Sequence, residues 1–196
     1  MLHIERLLLI ILLCLFSYSC NNKKEAENVL SATDTTLKDG ILSNYEVNLF
    51  NQFLSDAKTL EPDITLKNDL LQDVLLSDII NEPTLVFRFS ELHCEICIDQ
   101  EVKKLNEYFP KLKNRAIILT TYNNTRDFNI FRRLNQVKMP VYKLEKNLNL
   151  DIEEAYIPYL FVLDSNLKIH HLFVPDKLFP NVSNSFYEGF ITRYLQ

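Results

Sequence analysis

The chain has two glycines in 196 residues, Gly40 and Gly189. Glycine takes positive φ without steric cost, so tight turns here must be built from other residues, and the many asparagines are expected to fill those positions. Basic runs are also missing. Lys and Arg total 21 against 26 Asp and Glu, which leaves a net charge of −5 with no Lys/Arg-rich stretch. Such a chain lacks the electrostatic footprint of a nucleic-acid binder. No internal repeat is present. The longest apolar run, residues 7 to 16, is shorter than the about 20 residues that a comfortable membrane span needs.

What stands around that run is an export signal. In "MLHIERLLLIILLCLFSYSC" a short polar head with His3 and Arg6 precedes the apolar stretch, and the small residues Ser17 and Ser19 mark a processing point, giving a signal over 1–19. Cys20 followed by "NNKKEAEN" resembles the end of a bacterial lipoprotein signal, which implies a lipid on Cys20 as the new N-terminus. Cleavage without lipidation and retention as a plain anchor with unmodified Cys20 are the alternatives. All three put the rest of the chain outside the cytoplasm, in the cell envelope and facing the periplasm or the surface. Cys14 leaves with the signal, so of the four cysteines only Cys94 and Cys97 remain for chemistry, in a compartment where disulfides persist.

Residues 20–40 are polar and read as a flexible tether. In 41–62, Leu42, Tyr45, Leu49, Phe53 and Leu60 recur near helical spacing, which predicts an N-terminal helical extension whose apolar stripe enters the core. The domain proper spans 63–196. "DLLQDVLLSDII" fits either a strand with a short helical turn or one helix. "TLVFRF" (84–89) is a strand, Ile98, Val102, Leu105 and Phe109 mark a helix ending at Pro110, "RAIILTTY" (115–122) is a strand, and 125–134 is a helix capped from Asn123, Asn124 and Thr125. "MPVYKL" is a short strand or loop. "PYLFVLD" and "KIHHLFV" form a hairpin, and a last helix runs near 183–195. The fold class is α/β, a mixed central sheet with helices on both faces.

"FRFSELHCEICIDQE" (87–101) carries the cysteine pair at a strand-to-helix junction. Cys94 opens the helix, where free N–H groups and the helix dipole stabilise a thiolate and lower its pKa from about 8.5. It is therefore the better nucleophile. Cys97, nearly one turn on, is near enough for a disulfide and is expected to be the more buried, as suits a resolving thiol. Glu95 opposes the thiolate, which favours a more reducing couple. Zinc would need further ligands from His93, His170 and His171, and the last two are adjacent on a strand and point to opposite faces. Two inert core cysteines are the remaining alternative.

The order of elements, the Cys-x-x-Cys and "YIPYLFVLD" downstream resemble the thioredoxin-like fold. More narrowly, "LLSDIINEPTLVFRFSELHCEICIDQEVKKL" is similar to the TlpA/ResA type of envelope thiol-disulfide oxidoreductases, in the AhpC/TSA-related superfamily. The resemblance implies that Cys94 attacks, Cys97 resolves, and Pro158 after Ile157 is a cis-proline that offers backbone groups to a substrate chain. The chain departs from the family at His93, where an aromatic is usual, at Glu95-Ile96, where Gly-Pro or Pro-Pro is usual, and at Arg88, where a buried Asp or Asn is usual. Arg88, beneath Cys97, either stabilises a thiolate or pairs with a buried acid such as Asp73 or Asp99, and the cost of burying an unpaired Arg favours the pairing. His93 is a candidate acid/base or positive neighbour of Cys94. Tyr156 and Tyr159, on either side of the Ile-Pro step, are candidates for a groove lining.

The function expected is disulfide exchange with the thiols and disulfides of exported proteins. It needs an upstream electron donor but no organic cofactor, metal or nucleic acid. A thiol peroxidase and a non-enzymatic thioredoxin-fold binding module for an envelope partner are the alternatives. "SELHC" lacks the Thr or Pro that peroxidase chemistry usually places before its cysteine.

Overall fold

The computed structural model describes residues 38–56 and 58–196. The expected signal, Cys20 and the tether through residue 37 lie outside the described residues. The chain divides into two compact units, Met1–Asn44 and Tyr45–Gln196. In the first, residues 38–44 are helical.

The second unit opens with helical residues 45–55 (α1). Next come β1 (Thr65–Lys67), β2 (Asp73–Leu75), a helical turn α2 (Leu76–Ile79), β3 (Thr84–Ser90), α3 (Glu95–Tyr108), β4 (Ala116–Thr121) and α4 (Thr125–Leu134). β5 (Val141–Leu144), β6 (Tyr159–Leu163), β7 (Ile169–Phe173) and α5 (Pro180–Tyr194) complete the chain. The ambiguous segment before β3 is thus a strand followed by a helical turn. The strand β1 was not anticipated, because three residues are too few to show a period.

One mixed sheet runs in the order β2-β1-β5-β4-β3-β6-β7. β3, β4 and β5 are parallel, whereas β6 runs antiparallel to β3 and β7 to β6. β3 is central and all but its last residue is buried, as its nearly unbroken apolar run requires. Side chains alternate across it. Leu85, Phe87 and Phe89 pack with Ile98, Val102 and Leu105 of α3, Phe128 and Phe131 of α4, and Tyr187 and Phe190 of α5. Val86 faces the opposite side with Leu76, Ile80, Ile152, Tyr159 and Phe161. Arg88, two residues on, shares that second face by the same alternation.

Two expectations about local packing need correction. The predicted helix over 41–62 stops at residue 55, and 58–60 are extended: Leu60 N donates to Leu167 O at 2.9 Å and Ile169 N to Lys58 O at 2.8 Å. The apolar stripe of α1 does not enter the core, because Tyr45, Leu49 and Phe53 are 62, 53 and 86% exposed. α1 is seated on its polar face instead. Asn48 donates to Val174 O at 3.2 Å and accepts from Val174 N at 2.5 Å, and Ser55 is buried beside it in sequence register. A backbone pair just past an edge strand, otherwise open, determines which face turns inward.

The second correction concerns the turns. Eight non-glycine residues among those described have positive φ, and only Asn114 and Asn149 are asparagines; Leu71, Lys113, Gln136, Tyr156, Leu167 and His171 are the others. Asparagine works here by its side chain. Asn68 Oδ1 accepts from the N–H groups of Leu70 and Gln72, both at 2.9 Å, which closes the turn that puts Leu71 at φ 61. Asn124 Oδ1 accepts from Asp127 N at 2.8 Å and caps α4.

Asn48→Ala should cost about 1–3 kcal/mol in chemical denaturation, since it orphans a buried backbone pair. Phe53→Ser should change stability by less than about 0.5 kcal/mol. The reverse ranking would show that α1 packs by its apolar stripe after all.

Candidate active site

The carboxyl ends of β3 and β4 and the start of α3 converge on the cysteine pair. Beyond Ser90 the chain turns tightly: His93 N donates to Ser90 O at 3.1 Å, and Glu91 N to Thr121 O at 3.0 Å, which ties the loop to the end of β4. Cys94 is the N-cap of the 14-residue α3, with φ −57° and ψ 107°. Its Sγ accepts from Cys97 N at 3.3 Å, and its carbonyl accepts from Ile98 N at 3.0 Å. A sulfur therefore fills the place that a Ser or Asp oxygen takes at an ordinary helix start. A thiolate at this atom would meet an N–H group and the positive end of the helix dipole together.

Cys94 and Cys97 are joined as a disulfide, with Cα atoms 5.3 Å apart, and both residues are half-buried. Glu95 and Ile96 between them are exposed, Ile96 by 61%. Cys97 lines one cavity, and His93 and Glu95, the residues flanking Cys94, line another. One, of about 280 Å³, is lined by Cys97, Gln100, Glu101, Lys104, Pro175 and Lys177. The other, of about 470 Å³, has an acidic rim of Glu91, Glu95, Asp99 and Asp127, with His93, Tyr122 and Phe131 in its lining.

Arg88 is buried to 1% exposure, and its partner is Glu153, not Asp73 or Asp99. Arg88 Nε donates to Glu153 Oε1 at 3.1 Å, Nη2 donates to Thr121 Oγ1 at 3.0 Å and to Asn147 Oδ1 at 3.4 Å, and Nη1 donates to Phe89 O. Asp73 pairs with Lys67 at 2.7 Å, and Asp99 is exposed. Pairing is thus the role of Arg88, but the acid comes from the 3-10 turn Asp151–Ala155 that precedes β6. Burial first, and then the Glu153 carboxylate beside it, hold the phenol of the fully buried Tyr159 well above its ordinary range.

His93 is half-buried with Nδ1 unpaired. Burial first, and then the Arg88 guanidinium, lower its pKa from 6.5 to about 4. The ring is therefore neutral near pH 7.

No cis peptide bond occurs among the described residues, so Ile157–Pro158 is trans, contrary to the cis expectation. The chain reverses into β6 at the exposed Tyr156, φ 52, and a buried trans Pro158 stands just ahead of Tyr159, the first residue to pair with β3. Of the two candidate groove tyrosines, Tyr159 is fully buried and Tyr156 is 62% exposed.

The two strand histidines serve elsewhere. His170 Nε2 lies 2.9 Å from Asp164 Oδ2, and His171 Nε2 lies 3.1 Å from the Tyr194 hydroxyl. Among the described residues no group of three or more His, Cys, Asp or Glu is placed to hold a metal.

Two site residues escaped sequence reasoning. Glu153 lies 65 positions from Arg88, and no local pattern links them. Glu101 was within reach, because it falls on the Ile98, Val102 and Leu105 face of α3, where a carboxylate is out of place. It is 3% exposed and accepts from Tyr187 Oη at 2.6 Å and Ser183 Oγ at 3.1 Å.

No protein-family model matches this chain, and no curated protein matches it in sequence. Solved structures do match. The thioredoxin domain of a thiol-disulfide oxidoreductase from Bacteroides vulgatus is 18% identical, with TM-score 0.50 over 67% of this chain and 97% of that one. A thiol:disulfide interchange protein from a Bacteroides species is 19% identical, with TM-score 0.50 over 69% and 92%. A peroxidoxin, BcpB, from Mycobacterium tuberculosis is 12% identical, with TM-score 0.53 over 71% and 98%. The chain has the thioredoxin-like fold, as its resemblance implied.

Two measurements check the electrostatics of this site. Glu153→Met should cost about 3–5 kcal/mol because it leaves Arg88 buried without its acid, whereas Arg88→Met with Glu153→Met should return close to wild type. Equal losses in single and double variants would deny the coupling. Between pH 6.5 and 4 the unfolded chain protonates His93 while the folded chain does not, so stability falls as pH drops through this window. His93→Gln should flatten that slope, and an unchanged slope would place the His93 pKa near its ordinary value.

Proposed function

We propose that this thioredoxin-fold chain is a thiol-disulfide oxidoreductase of the cell envelope, held to the membrane by lipid on Cys20, that exchanges disulfides with exported proteins. The observation that carries the reading is the Cys94–Cys97 disulfide closed across the first turn of α3. Oxidoreductases with the same fold support it.

In the reduced protein, the Cys94 thiolate attacks a substrate disulfide and expels one substrate sulfur. Cys97 then attacks Cys94, releases the second substrate sulfur and leaves the disulfide seen here. Sulfur carries both electrons throughout, so the exchange requires neither an organic cofactor nor a metal. A thiol-type donor upstream must reduce the pair again. The backbone of Ile157 and Pro158, just ahead of the Arg88–Tyr159 strand pair, offers hydrogen-bonding groups to a substrate chain laid beside the cysteines.

A thiol peroxidase is the second reading, favoured by the likeness to the peroxidoxin structure. Against it, Ser90, Glu91, Leu92 and His93 include no Thr or Pro.

A protein-disulfide reduction assay tests the choice. Wild type should turn over, Cys94→Ser should be inactive, and Cys97→Ser should stall as a mixed disulfide on Cys94. Rapid peroxide consumption with a poor disulfide rate would favour the peroxidase. Equal behaviour of wild type and both variants would leave a binding module and end the oxidoreductase reading.

A further inference from the structure

α1 is seated inside out. A helix on a protein surface ordinarily turns its apolar stripe to the core, but the inward groups of α1 are the buried Asn48 and Ser55, with Asn51 and Gln52 half-buried beside them. Successive residues step about 100° around a helix, so Tyr45, Leu49, Phe53, Phe50, Leu54 and Val47 sweep an outward arc of about 200°. All six are exposed, from 36% at Leu54 to 86% at Phe53. Glu46 is the one charged residue in 45–55. A contiguous exposed apolar surface of this kind marks a contact site.

The breadth of the arc and its place in the chain identify what covers it. A partner helix uses a narrow seam of about two positions in seven, and a stable interface between copies draws on about 20–30 residues a side. Six residues spread over half a circumference suit neither. A lipid interface takes the whole outer half of a helix lying in its plane, and aromatic side chains such as Tyr45, Phe50 and Phe53 fit the headgroup layer. Among the described residues no helix is long and apolar enough to cross a membrane, so the mode open to α1 is lying in the surface. Chain order points the same way. Cys20, the lipid-bearing residue of the proposed function, stands 25 positions before Tyr45, and α1 is the first element of the second unit to follow it.

We propose that α1 lies in the lipid interface through this arc, as a second membrane contact beside the lipid on Cys20. The inference rests on the anchored part of the proposed function and deepens it, because it fixes which flank of the domain meets the bilayer. α1 runs back along the edge strand β7, from Asn48 at Val174 to the extended Lys58 at Ile169. The bilayer then lies along the β7 edge, and the β2 edge at the other side of the sheet points away from it. β3 and β7 both run antiparallel to β6, so Val174 and the cysteine loop leave the same end of the sheet. The start of α1 is at that end, and Pro175 lines the same cavity as Cys97. Glu46, in the first turn of α1, stays hydrated among the headgroups.

The chain has no Trp, so a single introduced one reports its own surroundings. Protein expressed from the full chain, and purified as the cell processes it, is placed in phosphatidylcholine vesicles with ordinary or brominated acyl chains, bromine being a contact quencher. Brominated chains should remove more than half of the Phe53→Trp emission. They should leave Leu70→Trp, 71% exposed in the turn between β1 and β2, unchanged. Phe50→Trp repeats the reading should Phe53→Trp fail to fold. Equal emission in the two lipids for both α1 reporters overturns the proposal, as does equal quenching of Leu70→Trp. Reporters shielded from aqueous iodide without bromine quenching show that protein covers the arc, a second copy where the shielding grows with protein density, and also overturn it. The mass of the N-terminal peptide from the same preparation tests the anchor separately. Cys20 without lipid overturns the anchored reading, and the quenching then decides for α1 alone.

Discussion

A charge in the central strand is the constraint around which this fold is arranged. Arg88 sits in β3 with neighbours on both sides, and a guanidinium there is tolerable only if its donors find acceptors. Glu153, Thr121, Asn147 and the Phe89 carbonyl supply them. These partners come from the approach to β6, the end of β4, the segment after β5 and β3 itself. One side chain thus ties together the ends of the strands from which the cysteine loop emerges. Its field also reaches that loop, where with burial it keeps His93 neutral.

The environment of Cys94 follows from that arrangement. With His93 uncharged, activation falls to the helix. The dipole and a sulfur-directed N–H contribute up to about 2 kcal/mol in partly buried settings. The opposing carboxylate, Glu95, is exposed, and solvent screens it. The apolar face of α3 carries one exception to its pattern, Glu101, which places a buried carboxylate a turn below the second sulfur.

Much of this was legible in the sequence where the signal was local. The run 84–89, the cysteines and the Ile98–Leu105 period identify β3, the loop and α3. Asn124 and the pattern after it mark α4 at both ends, because a side-chain cap and an amphipathic stripe coincide there. Signals failed where tertiary partners decided. The stripe of α1 has the right period, but two hydrogen bonds from Asn48 to Val174 turn its polar face inward. Asparagines were expected to take positive φ, yet Asn68 and Asn124 close turns and cap helices with their side chains. That Arg88 needed an acid was readable from its place in a strand. Which acid was not, since the chain brings Glu153 from 65 positions away.

The central claim is that α3 activates Cys94 without help from a charged histidine. The rate of Cys94 alkylation against pH in the reduced Cys97→Ser protein measures this directly. The account predicts an inflection below about 7.5, the range that cysteines at helix N-termini occupy. An inflection at or above about 8.5, the value of a free cysteine, would contradict it.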